Sequence, residues 1–223
     1  MDIFDTFFNL PVLARTFPLL LAGLWVTVKL GVTSIVGGLV LGLGLALVRI
    51  YGATVFRLLA RACIDVLRSI PILVLLIVVY YALPFVGIRL SPFVSAAVTL
   101  TLVSSAYTAE IFRAGIEAIP RGQFEASAAL GLSYRHMMVD VILPQAIRIV
   151  IPPLTNNCIN VIKDTALASV VAMPDLLKQA TQAQALAANP SPLIGAALIY
   201  VALLWPLVAI VARLERRFGA RNR

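Results

Sequence analysis

The stretch LGVTSIVGGLVLGLGLALV, residues 30–48, contains no charged side chain. Residues 17–28 extend this apolar run toward the N-terminus, past Lys29. A helix needs about 20 predominantly apolar residues to cross the hydrocarbon core of a membrane, which is about 30 Å thick. The run is long enough, and we predict that it forms the first membrane-spanning helix of the chain.

Four further apolar runs follow along the sequence. They cover residues 69–88, 90–109, 147–171 and 193–212. The run 147–171 contains polar and charged side chains, and we count it as a span because the orientation described below requires it. Together the five runs predict an all-α membrane protein of about five transmembrane helices, in a single domain over residues 1–223.

The composition also indicates a membrane protein. Of the 223 residues, 61% are hydrophobic and only 13% are charged, and the mean hydropathy is +0.99. A soluble domain has about 25% charged residues, so a soluble fold of this composition would leave large apolar patches in contact with water. This excludes an ordinary water-soluble enzyme or binding module.

The basic residues predict the orientation, because cytoplasmic loops of membrane proteins carry an excess of Lys and Arg. With five spans, twelve of the 18 basic residues fall on one side and three on the other. We therefore predict that the N-terminus is outside and the C-terminus is in the cytoplasm. With four spans the basic tail would face outward. The twelve are Arg49, Arg57, Arg61, Arg113, Arg121, Arg135, Arg148, Arg213, Arg216, Arg217, Arg221 and Arg223; the three are Arg15, Arg89 and Lys178; and Lys29, Arg68 and Lys163 lie within spans.

Several other functional classes are not expected. The net charge of +8 does not indicate nucleic-acid binding, because the basic residues are spread between apolar runs. Cys63 and Cys158 lie in or next to apolar stretches, so we expect no disulfide framework, and with the lone His136 they make no metal site. We expect no catalytic or cofactor-binding residue. The N-terminus carries Asp2 and Asp5 without a basic start, which is atypical of a cleavable signal peptide.

The longest segment between spans, residues 113–145, has the pattern of two short helices. Pro120 breaks the third helix, and small residues predict a short helix over residues 123–130. Glu125 near its start would favour the helix dipole, and Gly131 is placed to cap its end. We expect that Ser133 opens a second short helix and that Pro144 closes it.

The sequence EASAALG at residues 125–131, followed after nine residues by VILP at 141–144, resembles the EAA loop of permeases in ATP-binding-cassette importers. The family pattern is Glu-Ala-Ala, three residues, Gly, nine residues, Ile, one residue, Leu-Pro. Ser127 and Val141 depart from it conservatively. The resemblance implies a coupling loop at about residues 119–145, between helices 3 and 4. The implied ATPase-coupling residues are Gln123, Glu125, Ala126, Ser127, Gly131, Leu143 and Pro144.

The wider sequence is similar to the branch of this family that carries polar amino acids, over about residues 16–215. The similar motifs are RSIPIL, AEIFRAGIEAIPRGQFEA, LPQAIRIVIPPLTNN and KDTALAS, and Ala166 in the last of them replaces the usual Ser. The resemblance implies a multi-pass protein of the bacterial inner (plasma) membrane that moves its substrate by alternating access. The implied partners are a separate ATPase, a second permease subunit (identical or not) and an extracytoplasmic amino-acid-binding protein.

The chain itself is not expected to bind ATP. Each of its three lysines follows an aliphatic residue, whereas a P-loop needs Gly before its Lys. ATP would therefore be used by the partner. The alternative is a self-sufficient secondary transporter of amino acids, although five spans are few for one and an EAA-like loop would be superfluous.

Polar side chains at membrane depth predict the substrate path, because an ionisable group there costs about 2.5–3.5 kcal/mol on insertion scales. Asn157, Asn160 and Asp164 recur at helical spacing and share one stripe. Lys163 points about 100° away from Asp164, so the two cannot simply neutralise each other. An amino acid needs both acceptors and donors, which this stripe offers. The resemblance adds Glu110, and the alternative is a structural polar network that holds the helices together.

Two further features of the sequence concern a gate and the close packing of helices. Arg68, Ser69 and Pro71 are predicted to act as gate or packing residues near the cytoplasmic mouth. Gly38 and Gly42 have the small-xxx-small spacing that allows two membrane helices to approach closely. This spacing is compatible with a seam between two copies of the chain and equally with packing inside one chain.

Overall fold

The computed structural model describes residues 3–219, and it describes side chains from residue 5 to residue 216. Asp2, Arg221 and Arg223, together with the side chain of Arg217, lie outside these ranges. Within residues 3–219 the chain is helical, without a strand. The α-helices are α1 (Ile3–Phe7), α2 (Leu10–Tyr51), α3 (Thr54–Ser69), α4 (Ile72–Ile77), α5 (Pro92–Glu117), α6 (Arg121–Ala129), α7 (Tyr134–His136), α8 (Leu143–Asp164), α9 (Leu176–Ala187) and α10 (Ser191–Gly219).

The number of possible spans agrees with the sequence prediction. Among the described residues, four helical segments are long and apolar enough to cross a membrane, and a bent pair would make a fifth. The four segments are Asp5–Tyr51, Pro92–Glu117, Tyr134–Val171 and Ser191–Arg216, and the pair is Thr54–Ser69 with Ile72–Val86. The orientation of the chain stays a prediction.

The bent pair corrects the predicted start of the second span. α3 ends at Ser69, and the axis turns by 100° before the segment Ile72–Val86 begins. Pro71 explains the break, because it has no N–H to donate and it disfavours helical geometry at the preceding residue, Ile70. Arg68 and Ser69 therefore belong to α3 and not to the apolar run.

The prediction that Pro144 closes a short helix is wrong. Ser133 does cap a helix start, since its side chain accepts from the N–H of His136. The helix then continues without interruption for 38 residues, over Tyr134–Val171. A π-helical turn, Met137–Ile142, ends two residues before Pro144 and widens the helix where the proline ring would otherwise crowd the preceding turn.

α5 forms the centre of the bundle. In the most apolar part of each helix, 61% of the residues of α5 are buried, against 11% for α10. α2 packs along α5, and α8 packs on another side of it. The long apolar side chains that remain exposed on α2 and α10 face outward, as expected for surfaces that meet lipid or another subunit.

The glycines of α2 make its close packing on α5 possible. A Cβ atom on Gly38 would lie 2.5 Å from the Ser104 hydroxyl oxygen, and one on Gly42 would lie 2.6 Å from Cβ of Thr108. Such distances are too short for non-bonded atoms. The small-xxx-small stripe of α2 therefore packs within one chain, and it does not serve as a seam between two copies.

Candidate functional site

A cavity of about 290 Å³ lies between α4, α5 and α8, and all four candidate residues of α8 line it. Asn157, Asn160 and Asp164 share this wall, as the helical spacing predicted, and Lys163 reaches the same cavity. The remaining lining residues are Ile72, Leu100, Val103, Ser104, Tyr107 and Val161.

Three of these side chains offer polar groups to the cavity. Among the described residues, Asn160, Lys163 and Asp164 make no side-chain hydrogen bond and no ion pair. Lys163 and Asp164 are neighbours in the chain and point in different directions from α8, so they do not join in a direct pair. The cavity thus presents an acid, an amine and an amide that a ligand can contact.

Asn157 has a different role from its neighbours. Its amide nitrogen donates to the hydroxyl oxygens of Ser104 and Thr108, at 3.3 Å each. These are the residues of α5 that face Gly38 and Gly42 of α2. Asn157 therefore ties α8 to the α2–α5 contact, which supports the structural reading for this one residue of the stripe.

Glu110 does not line the cavity. Its carboxylate accepts a hydrogen bond from Arg49 at 2.7 Å and bonds to Arg113, and Arg68 lies 3.9 Å away. Its side chain is 21% exposed. Removing a charge from water is costly unless the charge is paired, and these arginines pair it. The substrate role of Glu110 stays a prediction, while its position is that of an ion-pair centre.

Arg68 connects the Glu110 cluster with the cavity. Its guanidinium lies over the ring of Tyr107, 5.4 Å from the ring centre, and Tyr107 lines the cavity. Guanidinium groups are attracted to aromatic faces at this distance. Ser69 donates its hydroxyl to the carbonyl of Asp65, and Pro71 caps α4. The gate role of these three residues stays a prediction, and Arg68 has the position that suits it best.

The predicted coupling helix is α6, Arg121–Ala129. It is held on the bundle by Phe124, which packs on a cluster around Met138 and Ile142. Ser127 is buried, and its hydroxyl donates to the carbonyl of Gln123. A small residue at 127 is therefore required by packing, and serine satisfies its own polar atom there.

The two ends of α6 test the capping predictions. Gly131 has a φ of +72°, the left-handed conformation that favours glycine, so it does end the helix as predicted. Glu125 is the fifth residue of α6, outside the first turn, so the prediction that it favours the dipole at the helix start is wrong. The helix begins two residues earlier than the small-residue pattern indicated, directly after Pro120.

Of the remaining coupling residues, two contact the helix bundle and two are exposed on the opposite side of α6. The side-chain oxygen of Gln123 accepts from Gln145 at 3.3 Å, and Leu143 packs in the cluster below α6. Glu125 and Ala126 are exposed and face away from the bundle.

Sequence reasoning missed three residues that the structure brings out. Leu130, at the tip of the segment, is 79% exposed and lies beside the predicted coupling residues. Tyr107 lines the cavity, and Arg49 pairs with Glu110. The spacing of Ser104, Tyr107 and Thr108, three and four residues apart on a span, was the available signal for a polar face of α5.

These features can be compared with known proteins. The family model described as the binding-protein-dependent transport system inner membrane component matches residues 38–220. The chain belongs to this family. The match includes the cavity and the coupling segment, and it confirms the resemblance to importer permeases. It does not favour the alternative of a self-sufficient secondary transporter.

Individual relatives cover nearly all of this family member. The arginine transport system permease protein ArtQ of Bacillus subtilis (strain 168) is 40% identical over 207 residues, 92% of this chain and 94% of that protein. The probable glutamine ABC transporter permease protein GlnM of the same organism is 37% identical, over 94% of this chain and 97% of its own.

Solved structures give the same result for the fold. A chain in the crystal structure of an amino acid ABC transporter with histidines superimposes with a TM-score of 0.87 and 35% identity, covering 92% of this chain and 96% of that one. The MetNI methionine ABC transporter, in an inward-facing conformation, gives 0.74 at 23% identity, which shows a common fold. The fold of this family member is thus that of an importer permease.

Proposed function

We propose that this family member is the permease subunit of an ATP-binding-cassette importer that carries a polar amino acid across the bacterial inner membrane. The observation that carries the proposal is the cavity in which Asp164, Lys163 and Asn160 have no partner among the described residues. Every amino acid has an ammonium and a carboxylate. Asp164 can accept from the first, Lys163 can donate to the second, and Asn160 can do either.

The size of the cavity agrees with such a substrate. Pockets for drug-sized ligands have volumes of about 300–1,000 Å³, and this one has about 290 Å³. The named relatives carry arginine or glutamine according to their names, and both are polar amino acids. A polar amino acid is therefore the substrate class, and its identity is left to a screen.

The driving force comes from a partner chain in this proposal. α6 and the exposed Leu130 form a surface that would enter a cleft on an ATPase subunit, which binds the ATP. A second permease subunit completes the path, and an extracytoplasmic binding protein delivers the substrate. The predicted orientation, with the N-terminus outside, places α6 in the cytoplasm, where ATP is available.

One helix joins the coupling surface to the cavity. The segment Tyr134–Val171 begins beside α6 and carries Asn160 26 residues and Asp164 30 residues after its start. At 1.5 Å per residue these distances are roughly 40–45 Å. Because the helix is continuous, a displacement of its first turns by the ATPase would also move the cavity wall. The Arg68–Tyr107 contact lies against the same cavity and would open or close with this movement.

The test is uptake by the complex reconstituted in liposomes. We expect the chain to co-purify with an ATPase and, with its binding protein present, to accumulate one or a few labelled polar amino acids only when ATP is inside. Apolar amino acids are the matched controls for the substrate class. Uptake driven by a sodium or proton gradient without ATP would contradict the proposal and restore the secondary-transporter alternative.

A further inference from the structure

A second cavity, of about 700 Å³, lies where α2, α3 and α5 meet. Four arginines line it: Arg49 from the end of α2, Arg57 and Arg61 from α3, and Arg113 from α5. Glu117 is the acidic residue of the lining. A concave site with this excess of positive charge fits an anionic ligand.

The arginines of this cavity are not all neutralised within the chain. Arg49 and Arg113 are paired with Glu110, and Arg113 is also paired with Glu117. The charges of these two arginines are already compensated by ion pairs, and their side chains form the more buried wall of the cavity. The charge available to a ligand must come from the α3 wall.

The α3 wall carries that charge. Arg61 is 3.7 Å from Asp65, and both side chains are more than half exposed, so water weakens the pair. Arg57 donates to the Thr54 hydroxyl at 3.4 Å, and no acidic side chain between residues 5 and 216 pairs with it. At least one full positive charge therefore faces the cavity without a carboxylate partner.

The other side of α3 is apolar and exposed. Arg57, Arg61, Asp65 and Arg68 follow one another at helical spacing on one stripe. Away from this stripe, exposed apolar residues occupy a second face: Val55, Phe56, Leu59 and Val66. An amphipathic helix with basic residues on its polar face is typical of the membrane interface.

The bend after α3 agrees with this position. α3 lies at 100° to the apolar segment Ile72–Val86. With the apolar segment Ile72–Val86 entering the membrane, a helix nearly perpendicular to it lies close to the plane of the membrane. Its apolar face then meets acyl chains, and its arginines lie at the level of the phosphates.

We propose that this cavity binds the phosphate headgroup of an anionic phospholipid. Arg57 and Arg61 hold the phosphate, and the apolar lining residues Ile50, Leu58 and Ile116 contact the glycerol and the first acyl carbons. Basic pockets between membrane helices are known sites for anionic headgroups. The proposal is independent of the amino acid carried, because the cavity shares no lining residue with the one at Asp164.

The charge and the exposed apolar face favour a lipid over a protein partner. An acidic surface of the ATPase could meet the arginines, but with Val55, Leu59 and Val66 in the acyl chains the cavity lies at the depth of the lipid phosphates. A lipid satisfies both the arginines and the apolar lining residues Ile50, Leu58 and Ile116, since its phosphate and its chains occupy neighbouring depths in one molecule.

The test compares lipid retention by two double variants of the permease in its complex with the ATPase. Arg57→Gln/Arg61→Gln removes two charges from the cavity, and Arg213→Gln/Arg216→Gln removes two from α10, away from it. Native mass spectrometry counts phosphatidylglycerol and phosphatidylcholine retained from mixed micelles. Each arginine near an anionic surface contributes about fivefold in affinity, so we expect phosphatidylglycerol binding to the cavity variant to fall about 25-fold.

The controls decide the outcome. The α10 variant should retain phosphatidylglycerol at the wild-type level, and phosphatidylcholine should be weak in all three proteins. Equal retention of phosphatidylglycerol by the cavity variant overturns the proposal. So does loss of the ATPase from that variant with unchanged lipid, because the cavity would then be a protein-docking face.

Two further arms keep the result interpretable. Inorganic phosphate that binds the detergent-solubilised protein and displaces no lipid would assign the cavity to a soluble anion, against the proposal. If the double variant has a lowered melting temperature, Arg57→Gln alone carries the test, because Arg57 has no internal ion pair to lose. An expected loss of about fivefold remains measurable.

Discussion

Glu110 and Asp164 are both carboxylates on or at the end of apolar spans, and both were predicted from the sequence to bind substrate. In the structure they differ completely in their partners. Glu110 is held by Arg49 and Arg113, with Arg68 close by. Asp164 has no hydrogen-bond or ion-pair partner among the described residues, and it lines a cavity.

The difference separates a structural from a functional charge. A membrane helix tolerates a carboxylate when other groups compensate for the lost water. At Glu110 the compensation comes from the chain itself: from Arg49 on α2, Arg68 on α3 and Arg113 on the next turn of α5. At Asp164 no described residue gives a hydrogen bond or an ion pair, so beyond the nearby charge of Lys163 the compensation comes from water or a substrate. The presence of an internal partner, and not the acid itself, distinguishes the two cases.

Replacing Glu110 by glutamine should have the largest effect. Glu110→Gln leaves Arg49, Arg68 and Arg113 close together without their carboxylate. Removing one partner of a buried ion pair costs about 3–5 kcal/mol, and we expect about 3 kcal/mol here because Glu110 is partly exposed. The variant should show a much lower melting temperature and little assembled complex, as measured by thermal unfolding and size-exclusion chromatography.

The control for Glu110 lies two turns further along the same helix. Glu117 also pairs with Arg113, but its side chain is 62% exposed. Glu117→Gln should cost less than 1 kcal/mol. A Glu110→Gln protein that assembles normally but no longer transports would contradict the structural role and revive the substrate role of Glu110.

Replacing Asp164 by asparagine should give the opposite pattern. Asparagine keeps the shape and an acceptor oxygen but removes the charge that would bind an ammonium. We expect uptake to fall at least about tenfold, which is the effect of losing one charge-assisted hydrogen bond of about 1.5–3 kcal/mol. The melting temperature should be unchanged or raised, because an unpaired charge is lost from the span.

The measurements are uptake, basal ATPase rate and melting temperature of the reconstituted complex. Asp65→Asn, an exposed carboxylate outside the cavity, is the control for loss of charge alone. Full uptake by Asp164→Asn with unchanged stability would remove Asp164 from the substrate site. Neither Asp164 nor Glu110 would then be a substrate-binding carboxylate.

Much of this contrast was inaccessible to sequence reasoning, for a physical reason. Apolar length predicted the spans, and helical spacing predicted that Asn157, Asn160 and Asp164 share a wall. These are local properties of one helix. Asn157 forms hydrogen bonds with α5, and Asp164 forms none. This difference is set by the register between α5 and α8, which one sequence does not specify.

The same limit explains the errors. The coupling helix was predicted from small residues bounded by Pro120 and Gly131, which act locally. The continuation of the helical segment Tyr134–Val171 past Pro144 was not predicted. A π-helical turn accommodates the proline, and such a turn has no clear sequence signature. The start of the second span was misplaced, because residues 69–88 contain no charged side chain and the absence of charge does not reveal the break that Pro71 makes.

A change at the coupling surface should reduce transport without touching either carboxylate. Leu130→Asp places a charge on the exposed tip beside α6, where an apolar partner surface is expected. We expect uptake and ATPase co-purification to fall several-fold, with an unchanged melting temperature, because 79% of the Leu130 side chain is exposed. Leu186→Asp, a leucine that is 88% exposed on α9, is the matched control and should retain the ATPase. Normal co-purification with Leu130→Asp would place the docking surface elsewhere.

A third carboxylate, Asp175, provides the smallest effect and sharpens the comparison. It follows the span that carries Asp164 and caps α9, accepting from the N–H groups of Leu177 and Lys178. It is fully buried, and burial raises its pKa to about 6 despite these bonds and the nearby Lys178. Its compensation is thus only partial, between that of Glu110 and that of Asp164.

The raised pKa of Asp175 predicts a pH dependence of stability. The folded chain binds this proton more tightly than the unfolded chain, whose Asp has a pKa of about 3.9. The contribution to stability is therefore complete below about pH 4 and is lost as the pH rises through about 6, by on the order of 2 kcal/mol. Asp175→Asn keeps a capping oxygen and has no proton to lose. We expect its melting temperature to exceed that of the wild type at pH 7.5, with the advantage gone at pH 4.5 and uptake unchanged. If the two proteins melt with the same pH profile, Asp175 is charged and adequately compensated, and it belongs with Glu110.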